Sequence, residues 1–294
     1  MVTSIIEATI LGILTGGVYA LMASGLTLIF GVMDTINIAH AIMVILGAYL
    51  IYALQSKLHM DMFISLLFIM PVMFVIGYGI EWAFLRRVRT KRDRIMLSIL
   101  VLYACAMIVE GLLNLIFTPN FVHLQAPYID ASIPFLGFYL PYIYIYAFLL
   151  SVVLLALLYV LVYRTKFGYG LRASIQNRTA ASLIGIDVER VGAITFGIGI
   201  ALAAAGGLAF GATNSFNSSS SFDLISRLTV IIVLGGMGSL SGALLASLAM
   251  LIISDITAVV WNPVWSSTVF FMLLVVLLLF RPQGLLGQAQ GRKQ

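Results

Sequence analysis

The sequence predicts an all-α polytopic membrane protein, and three observations carry that prediction. First, hydrophobic residues make up 62% of the 294 positions and Gly fills another 26, while charged residues are only 9%. A soluble domain has about 45–50% apolar residues plus Gly and about 25% charged residues, so this chain exceeds what a water-facing surface tolerates. Second, apolar runs recur at spanning length: Ile64–Leu85, Ile95–Phe117, Tyr142–Tyr163, Val191–Ala212, Gly242–Val260 and Val264–Phe280. Each matches the roughly 30 Å hydrocarbon core of a bilayer. Third, fourteen of the sixteen Lys and Arg fall in three segments, 86–94, 164–190 and 281–293, leaving only Lys57 and Arg227 elsewhere. Short basic connections stay cytoplasmic, so these segments set the topology. Soluble enzyme, nucleic-acid binder and disordered chain are excluded together.

Each element follows from those rules. With Arg86–Arg94 inside, Ile64–Leu85 runs inward and Ile95–Phe117 outward. The Pro-containing stretch Thr118–Pro141 is then external, and Tyr142–Tyr163 returns inward to the basic connection at 164–190. Val191–Ala212 goes out to a Ser-rich loop, Thr213–Arg227. Reaching a basic C-terminus inside requires an odd number of further crossings, so a short crossing is expected at Leu228–Met237 beside the two full spans. By the same logic a short inward crossing is expected near Leu26–Asp34, within the long Gly-bearing run Ile5–Phe30 and before Ala41–Leu54. The expectation is eight to ten transmembrane segments including two short broken helices, with both termini cytoplasmic, in a single transmembrane domain over 1–294. Glu7 stands where a cleavable signal would be basic, so the first run is expected to belong to the mature chain.

The two breaks match each other. Gly31-Val-Met-Asp-Thr-Ile-Asn-Ile-Ala-His40 and Gly235-Gly-Met-Gly-Ser-Leu-Ser-Gly242 each interrupt a hydrophobic segment and precede a small-residue helix. They read as a parallel internal repeat. Paired interruptions point to a transport pathway, with a pair of matching packing kinks as the alternative. Asn37 and His40 beside the first break, and Gly235, Gly236, Gly238 and Ser239 in the second, are the pathway candidates. For His40 a structural hydrogen bond is the alternative. Gly199, Ala203, Gly207 and Gly211 form a stripe at i+4 spacing suited to close helix packing, within or between subunits. Asp34, Glu110 and Asp255 are the other ionisable groups at apparent membrane depth, with Asp255 expected near the outer surface.

In the 164–190 connection, Leu171, Ile175, Leu183 and Ile184 fall near one face of an amphipathic helix, and Gly185 stands at a C-cap position. Such a helix docks a soluble partner or lies on the membrane surface. No nucleotide-binding loop and no serine-protease pairing occur. The three His and the lone Cys105 lack metal-ligand spacing. No catalytic or metal residue is expected.

Four motifs now resemble one family. Gly25-Leu-Thr-Leu-Ile-Phe-Gly-Val-Met33 with Asn37-Ile-Ala-His40 and Leu46-Gly-Ala-Tyr49 resembles the first-half signature of branched-chain amino acid ABC transporter permeases. Leu171-Arg-Ala173, Gln176-Asn177, Ala180-Ala181 and Gly185-Ile186 resemble that family's ATPase-docking loop. Gly235 to Ala243 and Phe280-Arg-Pro-Gln-Gly-Leu-Leu-Gly287 match as well, so the resemblance covers nearly the whole chain, nearest to the H-type subunit. Ala41 stands where the family often has Gly. The resemblance implies a non-enzymatic subunit of a bacterial inner-membrane importer. Its partners would be a second permease in a heterodimer, two cytosolic ATPases carrying the ATP and Mg, and a periplasmic amino-acid-binding protein. Related permeases carry urea, short amides or other amino acids. The implied coupling residues are Arg172, Ala173, Asn177, Ala180 and Gly185.

Overall fold

The computed structural model describes residues 2–88, 93–126, 128–129, 131–135 and 137–287. Arg89, Lys91, Arg92, Arg292 and Lys293 of the basic segments lie outside the described residues. The chain is helical nearly throughout: α1 (Val2–Met33), α2 (His40–Leu58), α3 (Met62–Ile80), α4 (Arg86–Val88), α5 (Arg94–Phe117), α6 (Tyr142–Arg164), α7 (Lys166–Gln176), α8 (Arg178–Leu183), α9 (Val188–Thr213), α10 (Ser220–Gly235), α11 (Leu240–Val260) and α12 (Pro263–Phe280). A π-turn, Glu81–Leu85, joins α3 to α4 as one continuous span. A short hairpin of β1 (Ser132–Phe135) and β2 (Phe138–Pro141) turns at Gly137, whose φ of 90° suits glycine.

Helix ends carry ordinary caps. Asp61, Asp187, Ser239 and Asn262 each accept a backbone N–H in the first turn of α3, α9, α11 and α12. Pro263 then occupies the first turn of α12, where its missing N–H costs nothing. Tyr128 Oη donates to Asp61 Oδ2 at 2.6 Å, tying the 118–141 connection to the α2–α3 turn. Burial, and then that carboxylate, push the Tyr128 phenol well above the ordinary tyrosine range, so this link holds across physiological pH.

Eight helices among the described residues are long and apolar enough to span a bilayer, counting α3 with its extension. α1 and α9 are the most buried, and α5 and α12 are almost wholly exposed, which makes α1 and α9 the central pair. α9 packs on α1, α2 and α3, while α1 packs along α11.

The first short crossing is corrected. Leu26–Asp34 is not a separate crossing: α1 runs unbroken from Val2 to Met33, because Gly12, Gly16, Gly17 and Gly25 face close neighbours instead of ending the helix. The second short segment does cross. α10 has 16 residues, about 24 Å long. It begins beside the 118–141 connection, where the Phe216 N–H donates to Val122 O at 2.8 Å and Asn217 Nδ2 to Pro119 O at 3.3 Å, and ends near Gly31, with Gly238 close by. Among the described residues, the eight long helices and α10 make nine segments that run from one face to the other.

That count separates the termini. The start of α1 lies against Gly137, and its end meets Ile175 of α7 on the face bearing the basic segments. α12 ends on that same basic face, where Gly287 and Gly284 meet Gly236. Nine is an odd number, so the described ends of the chain, Val2 and Gly287, lie on opposite faces, where both termini were expected on one. The repeat runs parallel: α1 and α10 both descend to the basic face, α2 and α11 both rise from it, and α1 packs on α11 as α10 packs on α2.

Candidate translocation and coupling sites

The first break is a re-entrant backbone. After α1 ends at Met33, Asp34 takes a φ of 53° and the chain turns back along the helix it has just left. His40 then opens α2 level with Met22, whose carbonyl lies 3.0 Å from His40 Nε2. Met22 stands eleven residues up α1 from Met33, or about 16 Å into the membrane. Non-helical backbone at that depth needs internal partners. Asn37 supplies one, its Oδ1 accepting the Ala39 N–H at 3.1 Å, and its own carbonyl accepts the His40 N–H. Asn37 and His40 are both 0% exposed. In this conformation His40 ties the break to α1, Asn37 braces the turn into α2, and neither faces open space. Asn37 Nδ2 and His40 Nδ1 remain buried without a partner. Two unmatched donor or acceptor sites beside a break are costly to keep.

The second break is held from outside its own segment. Gly236 and Gly238 have φ of 96° and 86°, conformations that glycine alone adopts freely. Ser239 Oγ caps α11 by accepting the Gly242 N–H at 3.1 Å. The last carbonyls of α10 would otherwise be orphaned. The C-terminal segment satisfies them: Leu285 N–H donates to Leu234 O at 2.7 Å and Leu286 N–H to Gly235 O at 3.1 Å. Gly284, at φ 77°, allows that approach, because a Cβ there would strike Gly236 N and Val233 O at 2.6 Å. Gly235 and Gly236 are buried, whereas Gly238 is exposed and Ser239 half-buried on the basic face.

The connection on the basic face holds two helices where one amphipathic helix was expected. Asn177 adopts extended backbone and caps α8, its Oδ1 accepting the Ala180 N–H at 3.0 Å, so α7 stops at Gln176. Gly185 ends α8 with a φ of 87°. The Ile186 N–H reaches Ala181 O and the Gly185 N–H reaches Ser182 O, which is a Schellman closure. Ala173 is half-buried, while Asn177, Ala180, Leu183, Ile184 and Gly185 are exposed. Arg172 turns inward: its Nη1 donates to Val162 O at 3.0 Å and its guanidinium lies 5.1 Å and 4.9 Å from the Tyr163 and Tyr169 ring centres. It caps the end of α6 and keys α7 to that helix. Arg178 sits where the ends of several helices converge. Burial, then Arg94, lower its pKa, against the pull of Asp34, Glu81 and Glu189.

The small-residue stripe packs inside this chain. Gly199 meets Ile29 and Gly25 of α1, Gly207 meets Val44 and Ala48 of α2, Gly211 meets Phe216 and Ala48, and Ala203 is fully buried. Sequence spacing missed the reciprocal glycines. Gly206 admits Met22, Gly197 admits Phe74, and Gly47 and Gly77 receive Ala204 and Ile200.

One further feature was not anticipated as a site. On the face opposite the basic segments, a cavity of about 680 Å³ opens between α1, α10 and α11, with Tyr144 of α6 and the end of α9 on its wall. Tyr19, Asp223, Arg227 and Asp255 converge there, and Glu7 and Ser4 stand at its rim. The signal was present in the sequence, since Arg227 is one of two basic residues outside the three clusters.

A helical bundle with two matching breaks in a parallel repeat, an open cavity on one face and a capped helix pair on the other is the architecture of a multi-pass membrane permease. The chain belongs to the family described as the branched-chain amino acid transport system permease component, which it matches over residues 8–278. It is 28% identical to the high-affinity branched-chain amino acid transport system permease protein BraD of Pseudomonas aeruginosa, over 96% of this chain and 95% of that one. The corresponding protein LivH of Escherichia coli is also 28% identical, with the same coverage. A probable branched-chain amino acid transport permease protein LivH of Methanocaldococcus jannaschii is 28% identical over 94% of this chain and 90% of its own. No solved structure matches.

Proposed function

We propose that this chain is the H-type permease subunit of an ATP-driven importer in the bacterial inner membrane, moving branched-chain amino acids. The basic face is cytoplasmic by the positive-inside rule. That puts the N-terminus and the 680 Å³ cavity outside, and α7, α8 and the C-terminal segment inside. A second permease completes a heterodimer, two cytosolic ATPases hold ATP and Mg, and a periplasmic binding protein delivers the cargo. The chain itself needs no cofactor.

The observation that carries the reading is the α7–α8 pair. Leu183 and Ile184 are 82% and 75% exposed beside Ala180 at the tip, although both are apolar. An apolar tip held rigid by Asn177 and Gly185 suits a protein partner better than water. Arg172 and Ala173 lie at the other end, where α7 is keyed to α6. A partner that pulls on the tip therefore moves a membrane-spanning helix. The breaks would respond: His40 and Asn37 would release α2 from α1, and Gly235, Gly236, Gly238 and Ser239 would let α10 and α11 part at the inner mouth. Their unmatched polar atoms could then face a passing zwitterion.

Co-purification with the two ATPases, followed by uptake of labelled amino acid in proteoliposomes, tests this directly. Uptake that requires ATP and all subunits is expected. Uptake by this chain alone, or without ATP, would show a stand-alone transporter instead.

A further inference from the structure

We infer that the cavity opposite the basic face is the site where an aliphatic amino acid is first held within the membrane, its carboxylate on Arg227 and its ammonium on Asp255. This rests on the permease reading above and adds a site to it, separate from both helix breaks.

The first argument is depth. The lining follows α1 from Ser4 to Tyr19, fifteen residues along a helix that runs from 2 to 33. That is about 22 Å of rise, from the outer rim to the middle of the helix. The cavity is thus a vestibule reaching the middle of α1. Its volume of about 680 Å³ falls within the roughly 300–1,000 Å³ range of small-molecule sites.

The second argument is charge. Ionisable groups at such depth are expensive and mark substrate paths. Both signs meet here. Arg227 Nε donates to Asp223 Oδ2 at 2.8 Å and Nη2 to Ser267 Oγ at 3.2 Å, and its guanidinium lies 5.6 Å from the Phe270 ring centre. These contacts fix the fork in place and use two of its five donors. Three N–H donors are left over on a side chain that lines the cavity. Asp255 lies in the same charge field as Arg227 and Tyr19, with the Thr15 hydroxyl beside it. Of the three carboxylates on the wall, Asp223 holds Arg227 and Glu7 stands at the outer rim, so Asp255 is the one left inside for an ammonium. Asp223 acts as the positioning residue for Arg227.

The third argument is the remaining wall. Leu11, Phe210, Leu251, Ala258 and Val259 line the same cavity as these charges. An apolar wall beside a paired charge of each sign fits a zwitterion with a hydrocarbon side chain. Arg227 and Asp255 offer that zwitterion one charge of each sign, with Asp223 holding the guanidinium in place.

The test uses the complete assembly with its binding protein and ATP in proteoliposomes. Uptake of labelled leucine, isoleucine and valine is measured beside ATP hydrolysis. Asp255→Asn is expected to lower uptake about tenfold or more, the loss typical of a charge-assisted contact. ATP hydrolysis stimulated by the binding protein should persist, which a merely misfolded subunit could not provide. Glu110→Gln, outside the cavity, should leave both unchanged. If Asp255→Asn does not assemble, Ala258→Cys in a Cys105→Ala background replaces it. An external, membrane-impermeant thiol reagent should then modify the cysteine and block uptake. Unchanged uptake in Asp255→Asn, or a modified Ala258→Cys that transports normally, would overturn the site and leave the permease reading intact. An unvaried assembly that moves none of the three amino acids would overturn both.

Discussion

Gly207 and Gly111 both sit inside long apolar helices and have opposite surroundings. A Cβ at Gly207 would run into the backbone of Val44 and Ala48, whereas nothing lies within 4 Å of one at Gly111. Backbone on a packed helix cannot give way as a side chain can. Gly207→Ala should therefore cost about 1–3 kcal/mol through overpacking. Gly111→Ala should be neutral or stabilise by up to about 1 kcal/mol through helix propensity. Thermal unfolding of the purified protein in detergent separates them, and equal midpoints for the two variants would contradict the packing assignment. The stripe at i+4 was legible because one periodicity suffices to reveal it. The reciprocal glycines were not, since which of them meets which neighbour depends on the three helices that surround α9. His40 shows the same limit: its type and its place beside a break were readable, but its bond to the Met22 carbonyl needed the fold.

At the scale of the element, the second break depends on residues fifty positions away in sequence. The Arg281-to-Gly287 motif was visible as a family resemblance with no assigned role. The fold gives it one, since its amides satisfy the end of α10. Gly284→Val would force a side chain onto a φ of 77° and against Gly236 and Val233. It should detach the segment. Hydrogen exchange should then rise in peptides covering 233–238 and 282–287, while α1 stays protected; unchanged exchange in both peptides would contradict the clamp. Helix positions themselves were largely legible, because spanning runs and caps follow directly from hydropathy and side-chain chemistry. The continuous α1 was misread for a physical reason. Glycine lowers helix propensity in water, but inside a bundle it is retained to admit a neighbouring backbone.

For the whole molecule, parity decides orientation. Nine crossings put Thr3 and Ser219 on one side and Ser182 on the other. In a Cys105→Ala background, Thr3→Cys and Ser219→Cys should react with an impermeant reagent from outside, and Ser182→Cys only after the membrane is opened. A Thr3→Cys that behaves like Ser182→Cys would restore an even count. The charge clusters made the inner face legible from sequence; the first crossing alone led the N-terminus astray. The proposed function stands on coupling: if partner subunits hydrolyse ATP, the exposed tip of α8 is the proposed route to the membrane helices. The most direct measurement is Ala180→Glu in the assembled transporter, with ATP hydrolysis and amino acid uptake followed together. A charge placed between Leu183 and the partner surface should cut uptake per ATP hydrolysed by about tenfold or more, at unchanged membrane levels of the chain. Uptake and hydrolysis that both remain normal would contradict the account.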